Sequence, residues 1–292
     1  MNIVFQIILL ISKLPLKILY LFSDFIYFLI IYIIGYRKKV VFENLRNSFP
    51  YKSEAELRAL HRKFFHNFSD YLVETAKSFT MSEKELRVRV QHINQDLFKE
   101  AKAEGKNIIL LAGHVFNWEW FNALASVIPQ ENCHPVYRNM QNEFWEEKLK
   151  LVRNRYGNHA IKATEVIKHI LRNPNDGNTV YMFVADQTPH VAEVKYGVNF
   201  LNQATPAFVG YDKLATKLDL AFIYCDMKRV KRGFYQVNYY RIYPDAEKFA
   251  PLEVVVKFHK FLENTIKKYP DNYLWSHRKW KYKHAIKTLI ED

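Results

Sequence analysis

The chain has 292 residues, of which 49% are apolar and 16% aromatic, and its formal net charge is +13. This length fits one large domain, or a domain with an appended element, and the positive charge indicates anionic partners: nucleic acid, phospholipid headgroups, a phosphorylated substrate or an acidic carrier protein. The composition excludes a disulfide framework, because only Cys133 and Cys225 are present, and a glycine-rich nucleotide loop, because the eight glycines are widely scattered.

The chain begins with an apolar segment, residues 1–36, that contains few polar side chains. Residues 18–36 are long enough to cross a bilayer core, but Asp24 also fits a helix that lies in the membrane interface. The basic run at residues 37–39 follows, which favours the cytoplasmic side for this flank. We therefore predict a retained membrane anchor or interfacial helix over residues 1–36, followed by one domain over residues 37–292.

The rest of the chain alternates helical and strand patterns. A helix is predicted to begin at Ser53, where Ser53 and Glu56 form a capping box. Further predicted helices cover residues 94–104, 117–127, 141–156, 164–172 and 252–269. Predicted strands cover residues 87–93 (an outer strand), 107–112, 134–137, 179–185, 220–226 and 234–242. This order predicts an α/β fold with a mixed, largely parallel sheet flanked by helices.

The strand at residues 107–112 is almost wholly apolar and is followed by Gly113, so His114 is predicted on a turn between a buried strand and a helix. Asn117 is a candidate N-cap for that helix, and Glu119 lies in its first turn. Across such a turn this spacing can bring the carboxylate to the imidazole, which would then act as a general base towards a hydroxyl. The alternative is a turn histidine satisfied by backbone groups, with Glu119 serving only the helix start.

Polar groups also follow two other predicted strands, Arg138 after one and Asp186-Gln187 after the other. Open sheets place reacting groups at the carboxyl ends of their strands, so we expect these residues near His114. Arg138 could bind a phosphate or a developing oxyanion, or could be a solvated surface arginine. Asp186 could orient Arg138 or bind a sugar, or could be a turn carboxylate.

Several fragments, in their order and spacing, resemble the late acyltransferases of lipid A biosynthesis, the lauroyl and myristoyl transferase family within the broader glycerolipid acyltransferase fold. The resemblance covers nearly the whole chain. The fragments are Gly35–Arg46 with Phe49-Pro50, His114-x4-Glu119 with Asn117-Trp118, Tyr137-Arg138, Ala185-Asp186-Gln187, and the terminal Trp275-x-His-Arg-Lys-Trp280.

The resemblance implies transfer of a fatty acyl chain from acyl carrier protein, or from coenzyme A, to a hydroxyl of a lipid A precursor at the cytoplasmic face of the bacterial inner membrane. His114 would deprotonate the hydroxyl, with Glu119 orienting the imidazole. Arg138 would stabilise the oxyanion, and Asn117, Asp186 and Gln187 would contribute to substrate binding. The resemblance implies no metal and no cofactor beyond the acyl thioester, and no nucleic-acid partner.

Phe116 departs from the family pattern, in which glycine usually stands in the middle of the His-x4-acid segment. A bulky side chain there could reshape a substrate pocket, so an aminolipid or phospholipid acceptor and a catalytically inactive lipid-binding protein both stay open. A membrane-anchored nucleic-acid binder is a further alternative, because aromatic residues accompany basic ones at residues 228–232 and 278–280.

Overall fold

A computed structural model describes residues 3–215 and 217–290. Residues 1–2 of the predicted anchor and residues 291–292 of the predicted domain lie outside the described residues. The strands are β1 Val90–His92, β2 Ile108–Ala112, β3 Asn132–Tyr137, β4 Ile161–Lys162, β5 Thr179–Val184, β6 Tyr196–Phe200, β7 Gln203–Pro206, β8 Ala221–Lys231, β9 Phe234–Ile242 and β10 Thr288–Ile290. The α-helices are α1 Ile3–Ser12, α2 Leu16–Phe28, α3 Lys38–Ser48, α4 Glu54–Lys77, α5 Glu83–Arg89, α6 Asp96–Ala103, α7 Glu143–Arg153, α8 Val166–Arg172, α9 Asp212–Ala215 and α10 Glu253–Lys268.

Seven strands form the main sheet in the order β1-β9-β8-β2-β5-β3-β4. The apolar strand β2 lies at its centre, parallel to β5 on one side and to β8 on the other, and all its residues are buried. The hairpin of β8 and β9 supplies the antiparallel pair, and β1 adds to β9 in parallel. The predicted mixed, largely parallel sheet is therefore confirmed, with β1 as the predicted outer strand.

Two local predictions are wrong. Residues 87–89 belong to helix α5 and not to a strand, because Ser82 caps that helix and Arg89 pairs with Glu85 one turn earlier. Residues 196–206, for which no strand was predicted, contribute to a second sheet, in which β6 pairs with β7 and with the distant β10. The pairing with β10 joins residues far apart in sequence, which local periodicity does not reveal.

The apolar N-terminus forms α1, α2 and a π-helical turn at Leu29–Ile34, and it ends at Gly35 in a left-handed conformation (φ 67°). The continuous helix Leu16–Ile34 is long and apolar enough to cross a membrane by length and composition. After it, α3 and α4 pack together, and α4 begins with the predicted capping box of Ser53 and Glu56.

Candidate active site

His114 follows the central strand β2, at the carboxyl edge of the sheet. Its backbone is fixed on both sides: its N–H donates to Asp186 Oδ1 (3.1 Å), and its carbonyl accepts from the N–H of Leu274 (3.0 Å). A side chain at the preceding Gly113 would place Cβ 2.4 Å from Leu262, so the turn packs closely against α10. The imidazole is thereby held at a defined place on the sheet edge.

The two ring nitrogens of His114 have different partners. Nδ1 lies 2.5 Å from Asp186 Oδ1, and Nε2 lies 2.9 Å from the amide nitrogen of Gln187. A carboxylate can only accept at Nδ1, so Nδ1 carries the proton and Nε2 presents a lone pair. This is the state in which an imidazole can take a proton from a hydroxyl. The sequence placed these three residues at one sheet edge, but it did not assign Asp186 to the imidazole.

Asp186 is 3% exposed, yet it is charged. Burial raises the pKa of its carboxyl, but the charge of His114, the hydrogen bond from that ring and the charge of Lys279 together hold the pKa well below the usual range. Lys279 is itself buried and donates to the backbone carbonyl of Asp186. Burial lowers the pKa of Lys279 to about 8, although Asp186 acts in the opposite direction.

Glu119 does not form the predicted hydrogen bond to His114. Its carboxylate instead accepts from two guanidinium nitrogens of Arg153, at 2.6 Å and 3.1 Å, in a bidentate pair. Burial would raise the pKa of Glu119, but the charge and hydrogen bonds of Arg153 and the charge of His114 lower it overall. Glu119 therefore lies near enough to His114 to act on it electrostatically, while Asp186 orients the ring.

The pair of Glu119 and Arg153 also ties the segment after His114 to α7, which leads to a stability prediction. We expect Arg153→Met to lower the free energy of unfolding by about 3–5 kcal/mol, because it leaves a buried carboxylate without its partner. The contribution is present at neutral pH and is lost as the pH falls below about 4.5, because the pKa of Glu119 is lower in the folded state.

Thermal or denaturant unfolding of the purified protein measures this change. The double variant Arg153→Met/Glu119→Gln should regain most of the lost stability, because no unpaired charge is then buried. The exposed Arg172 on α8 supplies the control, since Arg172→Met should change stability by no more than about 0.5 kcal/mol. Equal effects of the Arg153 and Arg172 substitutions would contradict the importance of the pair.

Asn117 does not cap the following helix, which is a 3-10 helix at Trp118–Ser126 and has no side-chain cap. Its buried amide instead donates to Glu74 Oε2 (2.9 Å). Glu74 is fully buried on α4 and also accepts from the hydroxyls of Tyr20 (2.7 Å) and Tyr235 (2.7 Å). Because this network uses its amide, we assign Asn117 to holding the turn and not to binding substrate.

Arg138 lies beyond the end of β3, exposed at the same edge, and donates to the carbonyl of Thr188 (3.2 Å). Thr188 directly follows Gln187, but the ring nitrogens of His114 bond to Asp186 and Gln187 and not to Arg138. This position suits an incoming anionic group at the rim better than an oxyanion at the reacting carbon.

Phe116 adopts a left-handed backbone conformation (φ 50°), which an L-residue reaches only at a cost of about 1–2 kcal/mol and glycine reaches freely. The hydrogen bond from its N–H to the carbonyl of Asn272 (2.8 Å) and packing of its ring on Tyr235 and Tyr269 stabilise this conformation. Glycine would adopt this conformation without that cost, which explains why it suits this position. In this chain Phe116 occupies the position, and its ring fills the space.

A small aromatic cleft, with a cavity volume of about 30 Å³, lies near His114. Trp118 separates the two, because its ring packs edge-on against the imidazole (4.8 Å between centroids) and stacks on Tyr71 (4.3 Å). The cleft lining includes Phe64, Phe68, Tyr71, Phe116, Trp118 and Tyr235. The lining is mainly aromatic, but the cavity has room for about one water molecule.

Sequence reasoning missed three residues that shape the site: Arg153, Glu74 and Lys279. Lys279 lies in the terminal tryptophan motif, which was a usable signal, and both tryptophans of that motif are buried in the core. Arg153 is 34 residues from Glu119, and nothing in its surroundings marks it as a partner. Among residues 3–215 and 217–290, no group of three or more histidine, cysteine or acidic side chains is placed to hold a metal ion.

Comparison with known proteins adds a family-level finding. A family profile described as bacterial lipid A biosynthesis acyltransferase matches residues 2–282. A curated lipid A biosynthesis acyltransferase of Haemophilus influenzae is 24% identical over 238 residues, which span 80% of this chain and 72% of that protein. Both similarities include the turn of His114 and the strand end at Asp186.

Proposed function

This chain belongs to the bacterial lipid A biosynthesis acyltransferase family, and from this premise we propose that it transfers a fatty acyl chain from a thioester donor to a hydroxyl of a lipid A precursor. One observation carries the proposal: at the sheet edge, Asp186 holds Nδ1 of His114 at 2.5 Å, and Nε2 is directed away from it towards the amide of Gln187. Such an imidazole has the geometry of a general base for a hydroxyl nucleophile.

In the proposed reaction, Nε2 of His114 takes the proton of the acceptor hydroxyl as its oxygen attacks the thioester carbonyl. A C–O bond forms, and the carbonyl oxygen becomes an oxyanion. When the oxyanion collapses, the C–S bond breaks and the leaving thiolate takes the proton back from the imidazolium. The negative charge of Asp186 stabilises that imidazolium throughout the step. No acyl-enzyme is required, because the thioester is already an activated acyl group.

Gln187 is the best-placed hydrogen-bond donor for the reacting atoms. Its amide nitrogen is 2.9 Å from Nε2 of His114, the place that the acceptor hydroxyl must take. The arriving hydroxyl would displace the amide, which would then lie next to the oxygen of the tetrahedral intermediate and could donate to it. Glu119, held by Arg153, would act on the imidazole electrostatically. Arg138 would bind an anionic group of a substrate at the rim.

The aromatic cleft beside Trp118 is proposed to receive the acyl chain, since its lining is mainly apolar and Trp118 packs on the imidazole; the cleft must widen from its volume of about 30 Å³ to do so. The net charge of +13 suits an acidic carrier protein as donor and a phosphorylated lipid as acceptor. We therefore propose acyl carrier protein as the donor and the cytoplasmic face of the bacterial inner membrane as the place of reaction.

Mass spectrometry of the lipid products tests this function. The purified full chain would receive a tetra-acylated lipid A precursor together with acyl carrier protein or coenzyme A carrying chains of several lengths. We expect the precursor to gain one acyl chain, faster with the carrier protein. Thioester release without a change in the precursor would indicate a different acceptor, such as an aminolipid. If the folded protein gives no transfer and no thioester release, that result would contradict the proposal that it is an active enzyme.

A further inference from the structure

We propose that α1, α2 and the following π-helical turn, together the N-terminal platform (residues 3–34), lie flat on the surface of an anionic bilayer and do not cross it. The proposal concerns how the protein sits on lipid, and it holds or fails whichever lipid is acylated. It starts from the position of α1 and α2, which both pack against helix α4.

Polar contacts tie the middle of the platform, residues 12–24, to the protein. Lys77 at the end of α4 donates to the carbonyls of Ser12 and Leu14 (3.1 Å each). Further along, the Tyr20 hydroxyl donates to Glu74 (2.7 Å), the Ser23 hydroxyl donates to Asp70 (2.7 Å), and Asp24 pairs with Arg232 of the β8–β9 hairpin (2.6 Å). The inner edge of the platform is thus polar and bonded to the protein.

These contacts are incompatible with a helix surrounded by lipid. Breaking them would leave Asp70 and Glu74 buried with fewer partners, which is costly for charged or polar groups. Keeping them would carry α4 into the hydrocarbon together with its exposed Arg62 and Lys63. Both routes are unfavourable, whereas a segment that stays on the membrane surface breaks no contact.

The outer face of the same segment is apolar and exposed. Its exposed large side chains are Ile3, Val4, Ile7, Leu10, Ile18, Leu21, Phe22, Phe25, Phe28, Tyr32, Ile33 and Ile34. The positions within α2 recur every three to four residues, so they form one stripe opposite the bonded edge. A helix with one apolar face and one polar edge is the form that buries its apolar face in the membrane interface.

Basic side chains around this apolar face favour an anionic bilayer as its binding partner. Lys13 is exposed between α1 and α2, Lys17 is exposed within α2, and Lys39 is exposed shortly after the platform. Long basic side chains beside an apolar face reach the headgroup layer, where each contributes about 1 kcal/mol with anionic lipid. The tip of the β8–β9 hairpin lies next to Tyr20 and exposes Val230 and Lys231, which extends the same surface.

The platform is joined to the candidate active site through Glu74. This carboxyl accepts from Tyr20 on the platform and from Asn117 in the turn that carries His114. Seating the platform on lipid would therefore fix the height of the turn relative to the membrane surface. An acceptor lipid would then need to rise only partly from the bilayer to reach the histidine.

Depth measurements with spin labels test the proposal. Single cysteines at Ile18, Leu21, Phe25, Phe28 and Tyr32 would be labelled on the full chain bound to phosphatidylglycerol–phosphatidylethanolamine vesicles. Collision with oxygen and with an aqueous nickel chelate then reports their depth. Wild-type protein treated with the same spin label is the control, and its buried Cys133 and Cys225 should not react.

A flat platform predicts a shallow, similar depth at all five positions. A crossing helix rises about 1.5 Å per residue, so the first and last labels would differ by about 20 Å along the membrane normal. That graded profile, or absence of vesicle binding by the wild type, would overturn the proposal.

Two matched substitutions locate the contact independently of depth. Phe25 on the platform and Leu171 on α8 are both 58% exposed. We expect Phe25→Glu to weaken binding to anionic vesicles at least tenfold and Leu171→Glu to leave it unchanged. Equal binding by both variants would contradict the assigned face, and equal binding of the wild type to purely zwitterionic vesicles would contradict the role of the basic side chains.

Discussion

Replacing His114 with alanine should lower the rate of acyl transfer by about 10²- to 10⁴-fold, the usual contribution of a general base. The Nε2 lone pair of the imidazole is directed at the position that we assign to the acceptor hydroxyl, which the Gln187 amide occupies in the structure. The fold should persist, because the backbone bonds of His114 to Asp186 and Leu274 do not involve its side chain. Product formation by mass spectrometry measures the rate.

The exposed His284 provides the matched control. His284→Ala should transfer acyl chains at the wild-type rate and melt like the wild type, whereas His114→Ala should stay folded and bind vesicles but unfold at a lower temperature, because the buried Asp186 loses a hydrogen-bond partner. Wild-type turnover by His114→Ala would exclude the proposed base. Loss of turnover together with loss of folding would instead assign His114 a structural role, and circular dichroism distinguishes the two cases.

Asp186→Asn should reduce transfer by a similar factor, about 10²- to 10⁴-fold, for a different reason. The amide keeps the size of the carboxylate but removes the charge that stabilises the imidazolium, and it can donate to Nδ1 and so place the ring proton on Nε2. The base would then be in the wrong tautomer for proton abstraction. Steady-state kinetics should show a fall in kcat with little change in KM.

Glu119→Gln separates this assignment from the pairing inferred from sequence spacing. Because Arg153 and not His114 binds the Glu119 carboxylate, this substitution should cost less activity than Asp186→Asn. Asp96→Asn, at an exposed helix start, controls for a general effect of losing one negative charge. A larger loss in Glu119→Gln than in Asp186→Asn would restore Glu119 as the partner that orients the ring.

The sheet could be predicted well from sequence because its signals are local. The apolar run of β2 fixed it as a buried strand, and polar residues after three strands marked the reacting edge. One failure depended on a distant contact, because β10 joins a strand some ninety residues earlier and periodicity does not contain that information. The other failure was local: the Ser82 cap and the Glu85–Arg89 pair extend a helix over residues 87–89, where the alternating pattern predicted a strand.

The same distinction explains the candidate site. His114 and Asp186 were both identified, because each follows a strand, but their pairing depends on β2 and β5 being neighbours in the sheet. The spacing of His114 and Glu119 suggested a direct contact, whereas the 3-10 turn between them directs Glu119 towards Arg153 on α7. Phe116 was noted as a departure, and only the backbone angle shows why glycine is usual there.

The central claim is that His114 and Asp186 act as one catalytic unit, and the transfer rate of the double variant His114→Ala/Asp186→Asn tests it most directly. Residues that work as a unit are strongly non-additive. We therefore expect the double variant to transfer acyl chains as slowly as His114→Ala alone, with no further loss. A rate lower by the product of the two single effects would show that Asp186 acts independently of His114 and would contradict the claim.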